Sequence, residues 1–355
     1  MRAHLEFVQA LHAELPAAGN CCWSPYSVAA AVGLAAEGAR GQTRDELVRA
    51  LAPGSDFAEL SRLLADSASL SDGELAIANS LWLDHQFPVH EEFRQTALAL
   101  PGGAVHQTDF RHDPEGSRVA INEDVERTTR GLIRELLANG TINQDTAAVI
   151  VNALYLKVAW LLRFPAEATA PADFHAPAGP RQVPTMRQQE RFEYAEAAGW
   201  QLASLPTAGE VVVDVLLPEP GREPALPEPA VLAQLWSTAR STKLDLALPR
   251  FRVNGAAVLN EQFERLGVRC AFSKQAADFT GISDARTFID LIAHQAVLRV
   301  DEQGFEGAAA TAVVMGVVSF DMSTPLPFHV DRPFLVLVRH RRTGAVYFVA
   351  RVTEP

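Results

Sequence analysis

The sequence predicts an α+β fold. Helical apolar spacing gathers in the first half of the chain, strand-like apolar runs gather in the second, and few strand–helix–strand alternations join them. No segment repeats with a fixed period, which sets repeat architectures aside. At 355 residues and 48% hydrophobic, the chain can bury a large core, and a single domain of this size is possible.

Taken in order, Leu5, Val8, Leu11 and Leu15 mark a helical stripe with charges inside it, unlike a signal peptide. Ser24-Pro25 starts a helix, with serine as cap and proline in its first turn. The following YSVAAAVGLAAEGA is nearly all small and apolar, so it should be buried on most sides. Thr43 and Glu46 fit a capping box for RDELVRAL, and Asp56 suits the cap of FAELSRLLADSA. Glu74–Asp84 reads as a strand, VHEEFRQTALAL as a helix, and residues 119–137 as an amphipathic stretch. Residues 147–164 are too apolar for a surface strand and should lie centrally in a sheet. VVVDVLLP, TKLDLALPRFRV and residues 288–300 are further strands, and prolines between Pro218 and Pro229 mark a surface loop. FLVLVRH and AVYFVARV, split by RRTG, form a hairpin.

Composition narrows the function. A formal net charge of −12 argues against nucleic acid or an anionic membrane surface as partner. Only Lys157, Lys243 and Lys274 are lysines, so the basic residues are mostly arginine; with the alanine content this suggests a GC-rich, prokaryotic source. Cys21, Cys22 and Cys270 are too few for a disulfide framework and wrongly spaced for zinc, so buried free thiols are expected. No run of about 18 apolar residues suggests a membrane span. The chain is expected to be cytoplasmic, or secreted with a signal peptide absent from this sequence.

No GxSxG, P-loop, HExxH or GxGxxG pattern appears. His85 and His90, five apart, do not share a helix face, and Ser283-Asp284 has no local histidine. The chain is read as no enzyme, with no cofactor and no metal. His294 is the one histidine inside an apolar strand; by itself it reads as a hydrogen-bonded core residue. The sharpest local signal is DEQGFEGAAAT at 301–311, backed by VVMGVVSF. A small-residue run flanked by Gly304 and Gly307 has the character of a hinge, and the Val-rich residues behind it have strong β-propensity. The segment is either a buried strand or an exposed loop held in reserve.

Five segments together resemble the serpin family. NCCWSPYS from Asn20, INEDVERTTRGLI from Ile121, IVNALYLKVAWLLRF from Ile150, HQAVLRVDEQGFEGAAAT from His294, and DRPFLVLVRH with VYFVARVTEP stand in the family's order over most of the chain. The resemblance implies one serpin domain, 1–355, with three β-sheets, about nine helices and an exposed reactive-centre loop at about 303–325. It implies a suicide substrate for a serine protease: the acyl-enzyme forms, and the cut loop enters the main sheet as a new strand. Serpin loop insertion is itself a standard instance of strand addition. Roughly a dozen inserted residues at about 0.5–1.5 kcal/mol per net backbone hydrogen bond, plus apolar burial, give on the order of 10–20 kcal/mol.

By the same resemblance the hinge is Glu302, Gly304, Phe305, Glu306, Gly307, Ala308, Ala309, Ala310 and Thr311. Small residues from Gly307 to Thr311, uninterrupted by proline or charge, favour inhibition over a non-inhibitory, ligand-binding or chaperone-like role. Phe305 departs from the family's small residue and is expected either to slow insertion or to fill a cavity peculiar to this chain. Family spacing from Glu302 puts the scissile bond at Val318–Ser319, suiting an elastase-like pocket; Phe320 or Met322 would suit a chymotrypsin-like one. Ser24, Ser27, Asn152 and His294 are the implied polar cluster, the shutter, beneath the sheet's opening point. Trp160, Arg250 and Glu302 match the breach, where the loop first enters. The helix expected at 56–68 has one base, Arg62, among acids, so no heparin-like cofactor is expected; the chain should be a monomer.

Overall fold

A computed structural model describes residues 1–305 and 323–355. Eight α-helices and fifteen strands stand among the described residues. Helix α1 (Arg2–Ala13) buries Leu5, Val8 and Leu11 on one side, as its apolar spacing predicts. After the short strand β1 (Cys21–Trp23), α2 (Pro25–Gly38) begins under the Ser24 cap, whose hydroxyl accepts the Ser27 N–H, and is buried almost throughout. It ends at Gly38, where a Cβ would lie 2.2 Å from Ile282.

Helix α3 (Gly41–Leu51) corrects the capping-box expectation. It starts two residues before Thr43, so both proposed capping side chains sit inside it and serve a neighbouring segment. Thr43 Oγ1 accepts the Asp278 N–H at 2.9 Å, and Glu46 Oε2 accepts the N–H groups of Arg269 and Cys270, both at 2.8 Å. Helix α4 (Phe57–Asp66) keeps its predicted Asp56 cap. Strand β2 (Glu74–Asp84), helix α5 (Glu91–Ala99), strand β3 (Gly103–Thr108) and helix α6 (Pro114–Thr128) follow. The amphipathic stretch 119–137 is helical only through Thr128. Arg130 and Gly131 then turn left-handed, and Asn122 Oδ1 accepts the Leu136 and Leu137 N–H groups, folding the remainder back on α6.

Strand β4 (Ala148–Lys157) is buried over nearly its full length. Strands β5 (Ala170–Ala176), β6 (Gly179–Ala197), β7 (Trp200–Pro206) and β8 (Val211–Pro218) form a meander, followed by α7 (Pro229–Thr238). The expected strand TKLDLALPRFRV divides at Arg250 into β9 (Arg240–Pro249) and β10 (Phe251–Val258), which belong to different sheets. Helix α8 (Asn260–Arg265) leads to β11 (Leu291–Asp301) and the two-residue β12 (Gly304–Phe305). Strands β13 (Leu326–His329), β14 (Phe334–His340) and β15 (Val346–Val352) close the fold, with β14 and β15 paired as the predicted hairpin.

Among the described residues the hydrogen-bonded strands fall into two sheets where three were expected. The nineteen-residue β6 is the reason: its first part pairs with β5, its last with β7, and β9 spans both, which joins two layers into one path. The smaller sheet, in the order β10-β11-β4-β2-β3, carries the site. Helix α2 packs against β2 and β4 of this sheet and lies within the main apolar core. Among the described residues no helix is long and apolar enough to cross a membrane. Cys21, Cys22 and Cys270 are free, and burial raises the thiol pKa of each.

Candidate functional site: a seam between two central strands

Strands β4 and β11 are parallel neighbours at the centre of the smaller sheet, and among the described residues they pair along half their length. The ladder runs from Leu291↔Val149 to Gln295↔Ala153. Above it β11 continues to Asp301 on β10, and β4 continues to Lys157 on β2; among the described residues no ladder joins β4 and β11 there. Among the described residues the seam is therefore paired below, joined by no ladder in the middle, and met at its top by β12.

At the upper end of the ladder lie three polar side chains in one row. Asn79, Asn152 and His294 occupy paired positions on β2, β4 and β11. His294 Nε2 accepts the Ser24 N–H at 3.0 Å. That role requires the proton on Nδ1, which donates to Asn152 Oδ1. Asn152 Nδ2 donates to the Ala293 carbonyl at 3.1 Å. Ser27 Oγ donates to Asn79 Oδ1 at 3.0 Å, and Asn79 Nδ2 donates to Pro101 O at 3.1 Å. The structure thus brings Ser24, Ser27, Asn152 and His294 together and adds Asn79, which the sequence reading missed. The missed signal was the same as for His294: a lone polar residue in an apolar strand. All five side chains are buried, and burial pushes the His294 pKa down to about 3. The imidazole is neutral and tautomerically fixed, so the network is satisfied without a buried charge.

The second cluster sits at the mouth. Arg250 is the single residue between β9 and β10, and its backbone is pinned by a bond to Pro184 O at 2.9 Å. Its Nε donates to Glu302 Oε1 at 2.6 Å, its Nη2 also approaches that oxygen, and Thr169 Oγ1 donates to it as well. Glu302 is only 8% exposed. Burial opposes its charge, but the bonds from Arg250 and Thr169 hold its pKa below the usual carboxylate value. Trp160 Nε1 donates to Asp301 O at 2.8 Å, and Trp160 N to Gln303 O at 3.0 Å. The structure brings Trp160, Arg250 and Glu302 to one place. Thr169, which lies in an unremarkable Ala-rich stretch, had no readable signal.

Phe305 is the larger surprise. It falls within the span expected as exposed loop, yet it is 1% exposed and part of β12. Asp301↔Gly304 and Val300↔Phe305 pair antiparallel, and Phe305 N donates to Val158 O at 2.9 Å. Its ring centroid is 5.4 Å from that of Trp160. The turn needs glycine at 304: φ is +141°, and a Cβ there would lie 2.2 Å from Val158 O. Phe305 is thus seated against Trp160 and not exposed. Glu306, Gly307, Ala308, Ala309, Ala310, Thr311, Val318, Ser319, Phe320 and Met322 lie outside the described residues.

Comparison with known proteins gives a consistent picture. The sequence model of the Serpin (serine protease inhibitor) family matches residues 3–355. The leukocyte elastase inhibitor of Homo sapiens is 32% identical over 374 residues, covering 100% of this chain and 98% of that protein. An uncharacterized serpin-like protein of Thermococcus kodakarensis is 32% identical over 348 residues, covering 95% and 81%. The crystal structure of uncleaved ovalbumin superposes with a TM-score of 0.84 at 26% identity, covering 99% of each chain.

Proposed function

The chain belongs to the serpin family, and from that premise we propose that it is an irreversible suicide-substrate inhibitor of chymotrypsin- or elastase-like serine proteases. The observation that carries this reading is the open seam between β4 and β11, with the chain already turned into its mouth at β12. A strand entering there would run antiparallel to both neighbours, along two edges that no ladder joins among the described residues.

In this mechanism the serine Oγ of the protease attacks the carbonyl of Val318, or of Phe320 or Met322 in another register. The ester bond forms, the peptide C–N bond breaks, and the amine of the following residue (Ser319 in the first register) leaves with a proton. The chain on the N-terminal side of the cut then enters the seam and carries the esterified protease with it. Gly307, Ala309 and Thr311 would share the inward face of Phe305, and all three are small enough to pass. Glu302 and Arg250 would anchor the fixed end of the hinge. Ser24, Ser27, Asn152 and His294, with Asn79, would hold the lower seam shut until the strand arrives. This reading treats the chain as one domain, 1–355, acting as a monomer by a covalent acyl complex. It assigns no heparin-like cofactor, since Arg62 is the only base on α4.

The test is to mix the protein with chymotrypsin and with elastase, then run denaturing gels and intact-mass analysis. The expected product is an adduct of the protease and the chain lacking its C-terminal fragment, and the fragment mass identifies the scissile bond. Clean cleavage with no adduct refutes the reading.

One observation favours a second reading, a non-inhibitory serpin that binds a ligand. A cavity of about 820 Å³ opens between α1 and the loop at 220–226. It is lined by Leu15, Leu226 and Arg351, and by Gln9, whose buried Oε1 has no hydrogen-bond partner among the described residues. An amphipathic small molecule would fit such a lining.

A further inference from the structure

Loop insertion accounts for a small hinge but not for a phenylalanine. The first residue of an added strand is the most costly one to place, because its backbone is ordered before any ladder rewards it. In this chain that residue is already in place. Phe305 is paired to Val300, bonded to Val158 O and packed at a tilt against Trp160, while Trp160 is held to Asp301 and Gln303 on the other side of the turn. Phe164 extends the ring cluster, 6.1 Å from Trp160, and its N–H donates to Glu302 O at 3.2 Å. A small residue at 305 would keep the backbone pairing but leave the ring's space beside Trp160 empty, so the turn would be held by its backbone bonds without the ring contact.

We propose that Phe305 is a positioning residue of the trapping reaction: its ring, seated against Trp160, keeps the first residue of the incoming strand between β11 and the segment after β4, so insertion starts from a formed nucleus. The proposal rests on the inhibitory reading above. It concerns the branch point after acylation, where insertion competes with hydrolysis of the ester by water. A pre-seated nucleus speeds the first route and leaves the second unchanged. It acts after the protease has bound, so it should not alter how fast the loop is recognised.

The experiment compares wild type, Phe305→Ala and Phe305→Leu with chymotrypsin and elastase. Two quantities are read separately: moles of chain consumed per mole of protease trapped, and the association rate constant. Phe305→Ala is expected to raise the first several-fold while the second stays within about twofold, and Phe305→Leu, which still fills the space, is expected to restore most of the trapping. Equal or lower consumption by Phe305→Ala overturns the proposal, since the ring would then be neutral or an obstacle. Amide hydrogen exchange of the wild-type chain supplies a readout that needs neither a variant nor a protease. The Phe305 amide should be protected like those of β10, and exchange at the unprotected rate overturns the seat itself. A wild-type chain that traps neither protease, with a protected Phe305 amide, overturns the inhibitory reading and this role with it, while the seat stands as structure.

Discussion

Acidification from pH 7 to pH 5 should destabilise this protein by about 6 kcal/mol through three histidines alone. His4, His12 and His294 are buried and neutral. His4 Nε2 accepts the Val346 N–H at 2.9 Å, His12 Nδ1 accepts the Trp23 indole N–H at 3.1 Å, and His294 Nε2 accepts the Ser24 N–H. Burial lowers their pKa values from 6.5 to about 4, about 4 and about 3, and for His12 the nearby Arg351 adds to the effect. The folded pKa lies below the unfolded one, so the unfolded chain binds more protons below pH 6.5, and stability falls as pH drops from there towards the folded values. At pH 5 the gap below 6.5 is about 1.5 units, worth about 2 kcal/mol per histidine at 1.36 kcal/mol per unit. That result needs only folded values below about 5. His106 and His340 are shifted the same way and add to it. The assay is a series of urea unfolding curves between pH 7.5 and 4.5, converted to proton uptake. About three protons or more should be taken up per chain on unfolding near pH 5, and His294→Gln should remove one from the slope whatever it does to absolute stability. A flat profile from pH 6.5 to 5, or an unchanged slope in His294→Gln, would refute the reasoning.

Three further outcomes follow from single contacts. Asp214 is fully buried and accepts hydrogen bonds from Ser204, Trp236 and Arg339, so Asp214→Ala, which strands the Arg339 guanidinium, should cost about 3–5 kcal/mol in chemical denaturation. Asn79→Ala removes the acceptor of Ser27 Oγ and the donor to Pro101 O; it should cost about 1–3 kcal/mol and speed self-association on mild heating, read by native gels. Gly304→Ala places a methyl 2.2 Å from Val158 O at a φ of +141°, so it should expose Phe305 and increase cleavage of the hinge by a non-target protease.

Much of the fold was legible because its signals are local. The Ser24 cap, the Asp56 cap, Glu74–Asp84 and the β14–β15 hairpin are each set by a few adjacent residues. What failed was local chemistry put to distant use. Thr43 and Glu46 have the spacing of a capping box, but their oxygens are taken by backbone groups of Asp278, Arg269 and Cys270, more than 200 residues away. The split at Arg250 was equally hidden, because a change of sheet in mid-run leaves no mark on apolar content. For the site, the polar residues in apolar strands were visible one at a time, whereas their alignment into one row depends on register. Phe305 was noticed as a departure, but its burial depends on Trp160, which follows β4 in sequence and meets the hinge only in three dimensions.

The register at the mouth also sets a timetable. With Asp301↔Gly304 and Val300↔Phe305 fixed, a chain continuing in step would place Glu306 opposite Arg299, Gly307 opposite Leu298, Ala308 opposite Val297 and Ala309 opposite Ala296. None of those positions on β11 is yet paired to β4, so these steps only add bonds. The next step differs in kind. Ala310 would meet Gln295 and Thr311 would meet His294, where β11 is already joined to Ala153 and Asn152. From there every advance must break a parallel pair to make two antiparallel ones, and the second such step must also part His294 from Asn152. On the inhibitory reading, insertion would thus be a quick run followed by a slower unzipping, with the checkpoint at the histidine. A protease caught on this chain would pause there, with Thr311 opposite His294 and six residues on from Phe305, before its fate is sealed.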